Sequence, residues 1–188
     1  MAEREHPREA GEHEEQEQEV MERIREITHE QVRPLLDAES GVKKDAGIII
    51  VPLPDVQSVE LEPGVTYDYY AARVLPSSAD HPNFVKPHYH EHGKEPYRFL
   101  QGTGFEMNTG TVQDGRVEWA EPQVVHAGEE FVIGESQVHS LRNNSTAPVD
   151  FVFACPKSHL TTNTPETPDG DRYFTKDLEN GLPPQYEQ

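Results

Sequence analysis

Short apolar runs recur along the chain from residue 47 to residue 155, and a turn signal closes each of them. The runs are rich in β-branched and aromatic residues, which favour strands. The turn signals are rich in glycine and asparagine, which accept backbone conformations that other residues resist. About nine such runs, with no helical pattern among them, predict an all-β sandwich or barrel. The predicted strands are 47–53, 67–75, 85–91, 97–100, 105–112, 117–120, 131–134, 138–143 and 149–155.

The regions on either side of these strands differ from them in composition. Residues 1–18 are rich in glutamate and lack apolar periodicity, which predicts an acidic arm. Apolar residues at helical spacing then predict one amphipathic helix over about residues 15–36. The segment after Pro156 is rich in Thr, Pro, Asp and Asn and predicts an extended tail over the surface or a partner. We therefore divide the chain into an arm with an amphipathic helix (1–40), a barrel (41–156) and a C-terminal tail (157–188).

The charge of the chain narrows the classes of partner. It carries 35 acidic and 16 basic residues, for a formal net charge of −19. Such a field repels nucleic acid and anionic membranes, so we expect neither as a partner. No apolar stretch approaches the ~20 residues that span a bilayer, and the first residues show no signal peptide. We therefore expect an acidic cytoplasmic protein, and its single cysteine, Cys155, excludes an intrachain disulfide.

One segment, KPHYHEHGKEPYRFLQG, contains three of the ten histidines. Side chains alternate between the two faces of a strand, so His88 and His90 point to the same side. Glu95 follows a short turn at Gly93 and opens the next strand, which we expect to fold back on the first as a hairpin. Two imidazoles and a carboxylate could then reach one metal ion, leaving space for a further ligand from a distant strand.

The two halves of a known motif pair occur here in order. His88, His90, Glu95 and Gly102 match G-x5-H-x-H-x3,4-E-x6-G except for its leading glycine. The later segment GEEFVIGESQVHSLRN matches G-x5-P-x-G-x2-H-x3-N at its other positions, although Gly134 replaces the proline and Ser136 replaces the second glycine. The chain thus resembles the cupin superfamily over about residues 80–145. The resemblance implies a double-stranded β-helix, or jelly-roll barrel, and adds His139 as the fourth metal ligand.

Other residues near the motifs are weighed as parts of a pocket. His92 is expected at its rim, whereas Tyr97, Phe99, Phe105 and Met107 are expected to fill the barrel or to line the pocket. The remaining histidines are interpreted as surface or hydrogen-bonded core residues, since a single histidine in a strand is seldom a ligand. They are His6, His13, His29, His81, His126 and His159.

Three imidazoles and one carboxylate suit one divalent transition ion, Fe, Mn, Ni, Co or Zn, with Fe or Mn favoured for redox chemistry. Our leading hypothesis is a small-molecule enzyme of the dioxygenase or oxidoreductase type, in which Glu95 is a ligand that could also accept a proton. The second is a metal-assisted isomerase of a sugar phosphate or keto acid, and the third is a non-catalytic metal- or ligand-binding cupin. The resemblance to cupins, which are commonly dimeric, also implies a homodimer through the predicted helix or the first strand.

Overall fold

The computed structural model describes residues 10–38, 42–43, 47–62, 64–78 and 83–186. Residues 1–9 of the predicted arm, which include His6, lie outside these ranges. His81 and the side chain of His13 also lie outside them. The helices are α1 (Ala10–Glu26) and α2 (His29–Asp37). The strands are β1 (Val42–Lys43), β2 (Ile48–Pro52), β3 (Val59–Glu62), β4 (Val65–Val74), β5 (Phe84–Tyr89), β6 (Glu95–Gln101), β7 (Phe105–Gln113), β8 (Arg116–Trp119), β9 (Gln123–Val125), β10 (Glu130–Ile133), β11 (Gln137–Asn143), β12 (Val149–Pro156) and β13 (Tyr173–Phe174).

The strands form two sheets in which every pairing is antiparallel. The first sheet has the order β1-β2-β4-β12-β6-β10, with β3 also paired to β4. The second has the order β13-β5-β11-β7-β8, with β9 also paired to β7. The predicted fold class, an all-β jelly roll with helix at its N-terminal side, is therefore confirmed. All nine predicted strands are present, and β1, β3, β9 and β13 were not predicted.

The prediction of one continuous amphipathic helix is wrong, because the helix is divided at Ile27 and Thr28. Thr28 starts α2 as its N-cap, and its backbone N–H donates to the side chain of Gln31 over 2.8 Å. Arg98 donates to the carbonyl oxygens of Arg25 (2.7 Å) and Ile27 (3.1 Å). These bonds satisfy backbone groups that a helix end leaves without partners, so the interruption is a stable feature.

The apolar stripe of the helices is buried against the outer face of the first sheet. Alternate residues of β4 divide between the two faces, so that Tyr69 and Ala71 face the helices whereas Tyr70 and Ala72 face the interior. Strand β12 is buried along its whole length for the same reason. The stripe, which the sequence assigned to either the domain or a second subunit, packs on the domain itself. It consists of Val20, Ile24, Ile27, Val32 and Leu36.

Residues 157–186, which we call the C-terminal segment, fold back onto the barrel. The segment begins with a 3₁₀ turn (Lys157–Leu160), continues into β13, which pairs with β5, and reaches a second 3₁₀ turn (Pro184–Tyr186). Thr175 is fully buried, and its backbone N–H donates to the carbonyl of Pro87 over 3.2 Å. The predicted tail therefore lies against the barrel and is buried in part. None of the described helices is long and apolar enough to cross a membrane.

Candidate metal centre

The turn between β5 and β6 carries the chain from one sheet to the other. Strand β5 pairs with β11 and β13 in the second sheet, whereas β6 pairs with β10 and β12 in the first. The predicted hairpin is therefore wrong, since the two strands are not partners. Gly93 is in the left-handed region (φ 76°), and a Cβ there would lie 2.5 Å from the Tyr67 hydroxyl. This crossing places Glu95 on the sheet opposite the histidines, facing them across the interior.

Four side chains converge between the sheets, and we call them the ligand quartet: His88, His90, Glu95 and His139. His88 and His139 are direct cross-strand partners, with ring centroids 4.2 Å apart. An Oε2 atom of Glu95 lies 3.2 Å from Nε2 of His139 and 3.6 Å from Nε2 of His90. One ligand atom from each of the four lies within 4.8 Å of the others, and all four residues are buried. The structure thus brings together the four residues that the motifs selected.

Backbone carbonyls orient all three imidazoles of the quartet. The Nδ1 atom of His88 donates to the carbonyl of Lys86 over 2.7 Å, and Nδ1 of His139 to that of Gln137 over 3.3 Å. Nδ1 of His90 donates to the carbonyl of Asp171 in the C-terminal segment. A ring that donates from Nδ1 carries its lone pair on Nε2, which is the arrangement of a histidine that binds a metal. The Nε2 atoms of His90 and His139 face Oε2 of Glu95, and all three rings have a ligand atom within 4.8 Å of the carboxylate.

The protonation states match a cation-binding site. Burial lowers the pKa of His88 well below its ordinary value and also lowers that of His139, so both rings are neutral near pH 7. Burial would raise the pKa of Glu95, but its contacts with His139 and His90 outweigh burial and hold that pKa well below the usual range. The neutral rings of His88 and His139 and the ionised carboxylate of Glu95 suit a cation in the interior.

Two atoms of the quartet have no hydrogen-bond partner although they are buried: Nε2 of His90 and Nε2 of His139. Because both rings donate from Nδ1, each Nε2 is available as an acceptor, and the nearby Glu95 oxygen is an acceptor as well. The Tyr97 hydroxyl donates to that oxygen, but the two buried nitrogens lack a donor, which is costly, and a cation between them would remove that cost. The nitrogen and oxygen donors suit a divalent transition ion. The residues present therefore fit one metal ion, as the sequence predicted.

The predicted pocket residues separate into three positions. Tyr97 lines the cavity next to the quartet, and its hydroxyl donates to Oε2 of Glu95 over 2.7 Å. Phe99, Phe105 and Met107 are buried in the core and are not among the residues that line that cavity. The side chain of His92 is 83% exposed and points away from the quartet, although its carbonyl accepts a hydrogen bond from His159.

The C-terminal segment supplies site residues that the sequence did not identify. The ring of His159 stacks on that of His90 at 3.9 Å and 4°, and its Nε2 donates to the carbonyl of His92 over 2.6 Å. The carboxylate of Asp171 accepts the backbone N–H groups of Glu91 (2.9 Å) and His92 (3.1 Å). Arg172 donates from Nη2 to Nε2 of His88 over 3.3 Å. The sequence signal for this docking is slight, since apolar and aromatic residues such as Leu160, Tyr173, Phe174 and Tyr186 are scattered through a mostly polar tail.

His159 was interpreted from the sequence as a surface or hydrogen-bonded core residue, and the structure places it in the core. It is 1% exposed, and burial lowers its pKa to about 4, with the neighbouring His90 contributing. Of the other described histidines, His29 lies within 2.8 Å of the buried Asp150 carboxylate and His126 is exposed at the surface. Neither approaches the quartet.

A small cavity of about 20 Å³ adjoins the quartet, which is room for about one water molecule. Its polar lining is His88, Glu95, Tyr97 and Arg172. The rest of its wall is apolar and comes from both sheets and the C-terminal segment: Ile48, Ile50, Ala72, Val85, Leu141, Phe151, Phe153 and Leu160. The arrangement can hold an ion at one end of a narrow, largely apolar chamber.

Comparisons of folds find solved structures that are similar to part of this chain. One is an oxalate oxidase in complex with glycolate (18% identity, TM-score 0.46), matched over 60% of this chain and 52% of that one. Another is an oxalate decarboxylase of Lactobacillus farciminis (14% identity, TM-score 0.44), matched over 61% of this chain and 30% of that one. A third is a Cupin_2 domain of an XRE-family transcriptional regulator of Enterobacter cloacae (20% identity, TM-score 0.37), matched over 58% of this chain and 95% of that one. The chain spans about half the length of the oxalate oxidase. No protein-family model and no curated protein matches it.

Proposed function

We propose that this chain binds one divalent transition metal through the ligand quartet and acts on a small molecule in a reaction of the dioxygenase or oxidoreductase type. The observation that carries the proposal is the convergence of three Nε2 lone pairs and one carboxylate in a buried space, two of the nitrogens having no partner. Four protein ligands leave two positions of a six-coordinate ion for other molecules, as in catalytic sites rather than closed structural ones.

The quartet fits Fe, Mn, Ni, Co and Zn, and Fe or Mn is our first choice because the proposed reaction needs a redox-active ion. Such an ion would supply the activation of dioxygen when bound. The chain's own residues would then hold the ion, orient the substrate and exclude water. The apolar wall of the cavity suits that last task, because it offers water few hydrogen-bond partners.

Glu95 is proposed as both a ligand and a proton acceptor. The Tyr97 hydroxyl, 2.7 Å from Oε2, provides a donor that can hold the carboxylate in place whenever it turns from the ion. Burial and the Glu95 carboxylate raise the pKa of Tyr97 well above its ordinary value, so the hydroxyl keeps its proton near pH 7. This pair is the group through which a substrate proton could be taken up.

A second candidate function is metal-assisted isomerisation of a keto acid or sugar phosphate, in which the ion acts as a Lewis acid. One observation favours it, namely the cation of Arg172 in the cavity wall. Two other basic residues close to the motif in sequence do not serve it: Lys94 pairs with Glu17, and Arg98 binds the end of α1. The apolar wall counts against a sugar, whose hydroxyl groups need several polar partners.

The experiment combines metal analysis with oxygen uptake. We expect about one Fe or Mn per chain by mass spectrometry after anaerobic reconstitution, and loss of that metal in a His88→Ala/His139→Ala variant. His126→Ala, which removes an exposed imidazole, should retain it. Oxygen consumption with a chelating substrate would support the leading proposal, and turnover without oxygen would support the isomerase. A loaded protein that is stabilised by ligands without turnover would indicate a binding protein, and failure to bind metal would contradict the assignment.

A homodimer remains a proposal. Since the apolar stripe of the helices is buried on the first sheet, we now favour the edge of that sheet at β1 and β2 over the helix as its contact. Light scattering after size exclusion would test it, and a monomer at micromolar concentration would contradict it.

A further inference from the structure

Arg172 enters the barrel from the C-terminal segment and not from a strand of the two motifs. Backbone bonds hold its position: its carbonyl accepts the N–H of Asn163 over 3.0 Å, and the next residues form β13 beside β5. The guanidinium lies over the ring of Phe174 at 5.7 Å. From there the side chain reaches the quartet, so that a positive charge stands beside the proposed ion.

The N–H groups of the Arg172 guanidinium have few hydrogen-bond partners. Its Nε atom is buried without a hydrogen-bond partner, and among the described residues its side chain makes one hydrogen bond, from Nη2 to Nε2 of His88. Within the part of the chain that the structure describes, no carboxylate forms an ion pair with it. An arginine has five N–H donors in a fixed planar fork, and leaving them unused beside an apolar wall is costly. The usual partner for that fork is a carboxylate or a phosphate.

The charges of the site also call for an anion, if the proposed metal is bound. A divalent ion and the Arg172 guanidinium bring three positive charges, more than the buried carboxylates of Glu95 and Asp171 can offset. The surplus would be enclosed by apolar side chains, where a charge without a counter-charge is expensive. A ligand that carries negative charge removes this surplus, whereas a neutral ligand does not.

The hydrogen bond to His88 gives a second reason. The Nε2 lone pair that accepts from Arg172 is the one that a metal ion would use, so the ion and the arginine compete for it. When the ion takes the lone pair, the Nη2–H group loses its acceptor. A carboxylate bound beside the ion would provide a new acceptor within reach of the same side chain.

From these observations we infer that Arg172 binds the carboxylate of the substrate, and that the substrate is a small carboxylic acid with a second oxygen donor next to that group. The inference rests on the proposed metal site. The second oxygen follows from the two open positions of a six-coordinate ion, which a 2-oxo or 2-hydroxy acid can fill together. The small size follows from the cavity of about 20 Å³, which has room for about one water molecule and must widen, by displacement of Arg172 from His88, to take even a compact acid.

The test measures binding and does not depend on turnover. The full chain is loaded with Co²⁺, its metal content is measured, and pyruvate is titrated by calorimetry while the visible spectrum of the ion is followed. We expect pyruvate to bind the wild type and to alter the spectrum. Arg172→Gln should weaken that binding by about 30-fold or more, because it removes one partner of an enclosed charge pair. Arg172→Lys, which keeps the charge without the fork, should fall between them.

Matched controls separate the alternatives. Arg116→Gln removes an exposed arginine and should bind pyruvate like the wild type. Pyruvamide, the neutral isostere, should bind weakly and equally to the wild type and Arg172→Gln. Metal content should be at least as high in Arg172→Gln, because the competitor for His88 is gone. If Arg172→Gln unfolds, Arg172→Lys carries the comparison.

The two proposals fail in different ways. A wild-type chain that binds no Co²⁺ overturns the proposed function before pyruvate is added. A loaded chain that ignores pyruvate at millimolar concentration overturns the substrate class. Equal pyruvate affinity in the loaded wild type and Arg172→Gln overturns the role of Arg172 and leaves the metal site intact.

Discussion

The two regions that meet at the metal centre are built in different ways. The ligand quartet lies on or next to strands that are central to both sheets, and backbone ladders on either side hold it in register. The C-terminal segment supplies Arg172, His159 and Asp171 from short turns and a two-residue strand, held by isolated hydrogen bonds. The barrel thus holds the ligands, whereas the C-terminal segment forms one wall of the site.

This difference predicts that the two regions contribute differently to metal binding. A rigid scaffold is needed where four atoms must meet within a few tenths of an ångström. A more weakly held segment suffices to orient a ligand ring from behind, as Asp171 and His159 do for His90, and to complete a chamber. Substitutions in the quartet should therefore change metal binding outright, and those in the segment should modulate it.

The largest effect is expected from Glu95→Gln. The substitution removes the only negative charge of the quartet, so metal affinity should fall by more than ~100-fold. In the metal-free protein the new amide can donate to the partnerless Nε2 of His139, so the free energy of unfolding should rise by about 1 kcal/mol. Competition titration with a chromophoric chelator and urea unfolding measure the two quantities. Glu166→Gln, an exposed change of the same charge, should alter neither.

A smaller effect on the metal is expected from His159→Ala in the segment. It removes the ring that stacks on His90 and the bond to the carbonyl of His92, so His90 loses part of its orientation. Metal affinity should fall by about 10-fold while the stoichiometry stays at one. His159→Phe keeps a ring in place and should recover most of the affinity. Complete loss of metal in the alanine variant would mean that the segment is as essential as the barrel.

Thr175→Val should loosen the segment without touching the ligands. The buried Thr175 hydroxyl donates to the carbonyl of Gly181 over 2.6 Å, and valine leaves that acceptor without its partner. We expect amide hydrogen exchange within residues 157–186 to be easier by about 1–2 kcal/mol, with β5 and β11 unchanged. Equal acceleration in the barrel strands would show that segment and barrel open as one unit.

Ser136→Gly should have the smallest effect of the four substitutions, and it should stabilise the protein where Thr175→Val loosens it. Ser136 takes the place of a motif glycine, yet it keeps the left-handed backbone that glycine favours (φ 56°), and its N–H donates to the carbonyl of His90 over 2.7 Å. Relief of this strain, less the flexibility that glycine adds, should stabilise the protein by about 0.5–1 kcal/mol in thermal unfolding. Asp114→Gly, at another left-handed position (φ 50°), should gain less, because aspartate tolerates that conformation better.

Three members of the ligand quartet could be predicted from the local sequence, and the fourth, His139, from the resemblance to the cupin motifs. Alternation along β5 puts His88 and His90 on one face, and the spacing to Glu95 and the later motif supply the others. The sequence prediction was wrong about the connection between β5 and β6, because a hairpin and a crossing between sheets would both place Glu95 near the histidines. The pairing of a strand depends on which distant strands are available. Strand β5 pairs with β11 and β13, whereas in a hairpin it would have paired with β6.

The helix boundary shows the same limit on a smaller scale. Apolar spacing from Val20 to Leu36 is nearly continuous, and the residues at that spacing are buried, although the spacing did not distinguish the buried Leu36 from Leu35, which is 43% exposed. The interruption at Thr28 depends on Arg98, a residue of β6 that satisfies the carbonyls at the end of α1. A contact across about seventy residues leaves no periodic signal in the sequence.

The sequence by itself therefore determined the class of the fold and the four candidate ligands, since alternation, turn residues and ligand spacing are properties of adjacent residues. Only the tertiary structure decided that the polar C-terminal segment closes on the site and brings Arg172 and His159 to it. The physical reason is that this segment binds through single hydrogen bonds and ring contacts to residues as much as 88 positions away, such as that from Thr175 to Pro87. Each of these contacts is weak in isolation and has no local pattern to mark it.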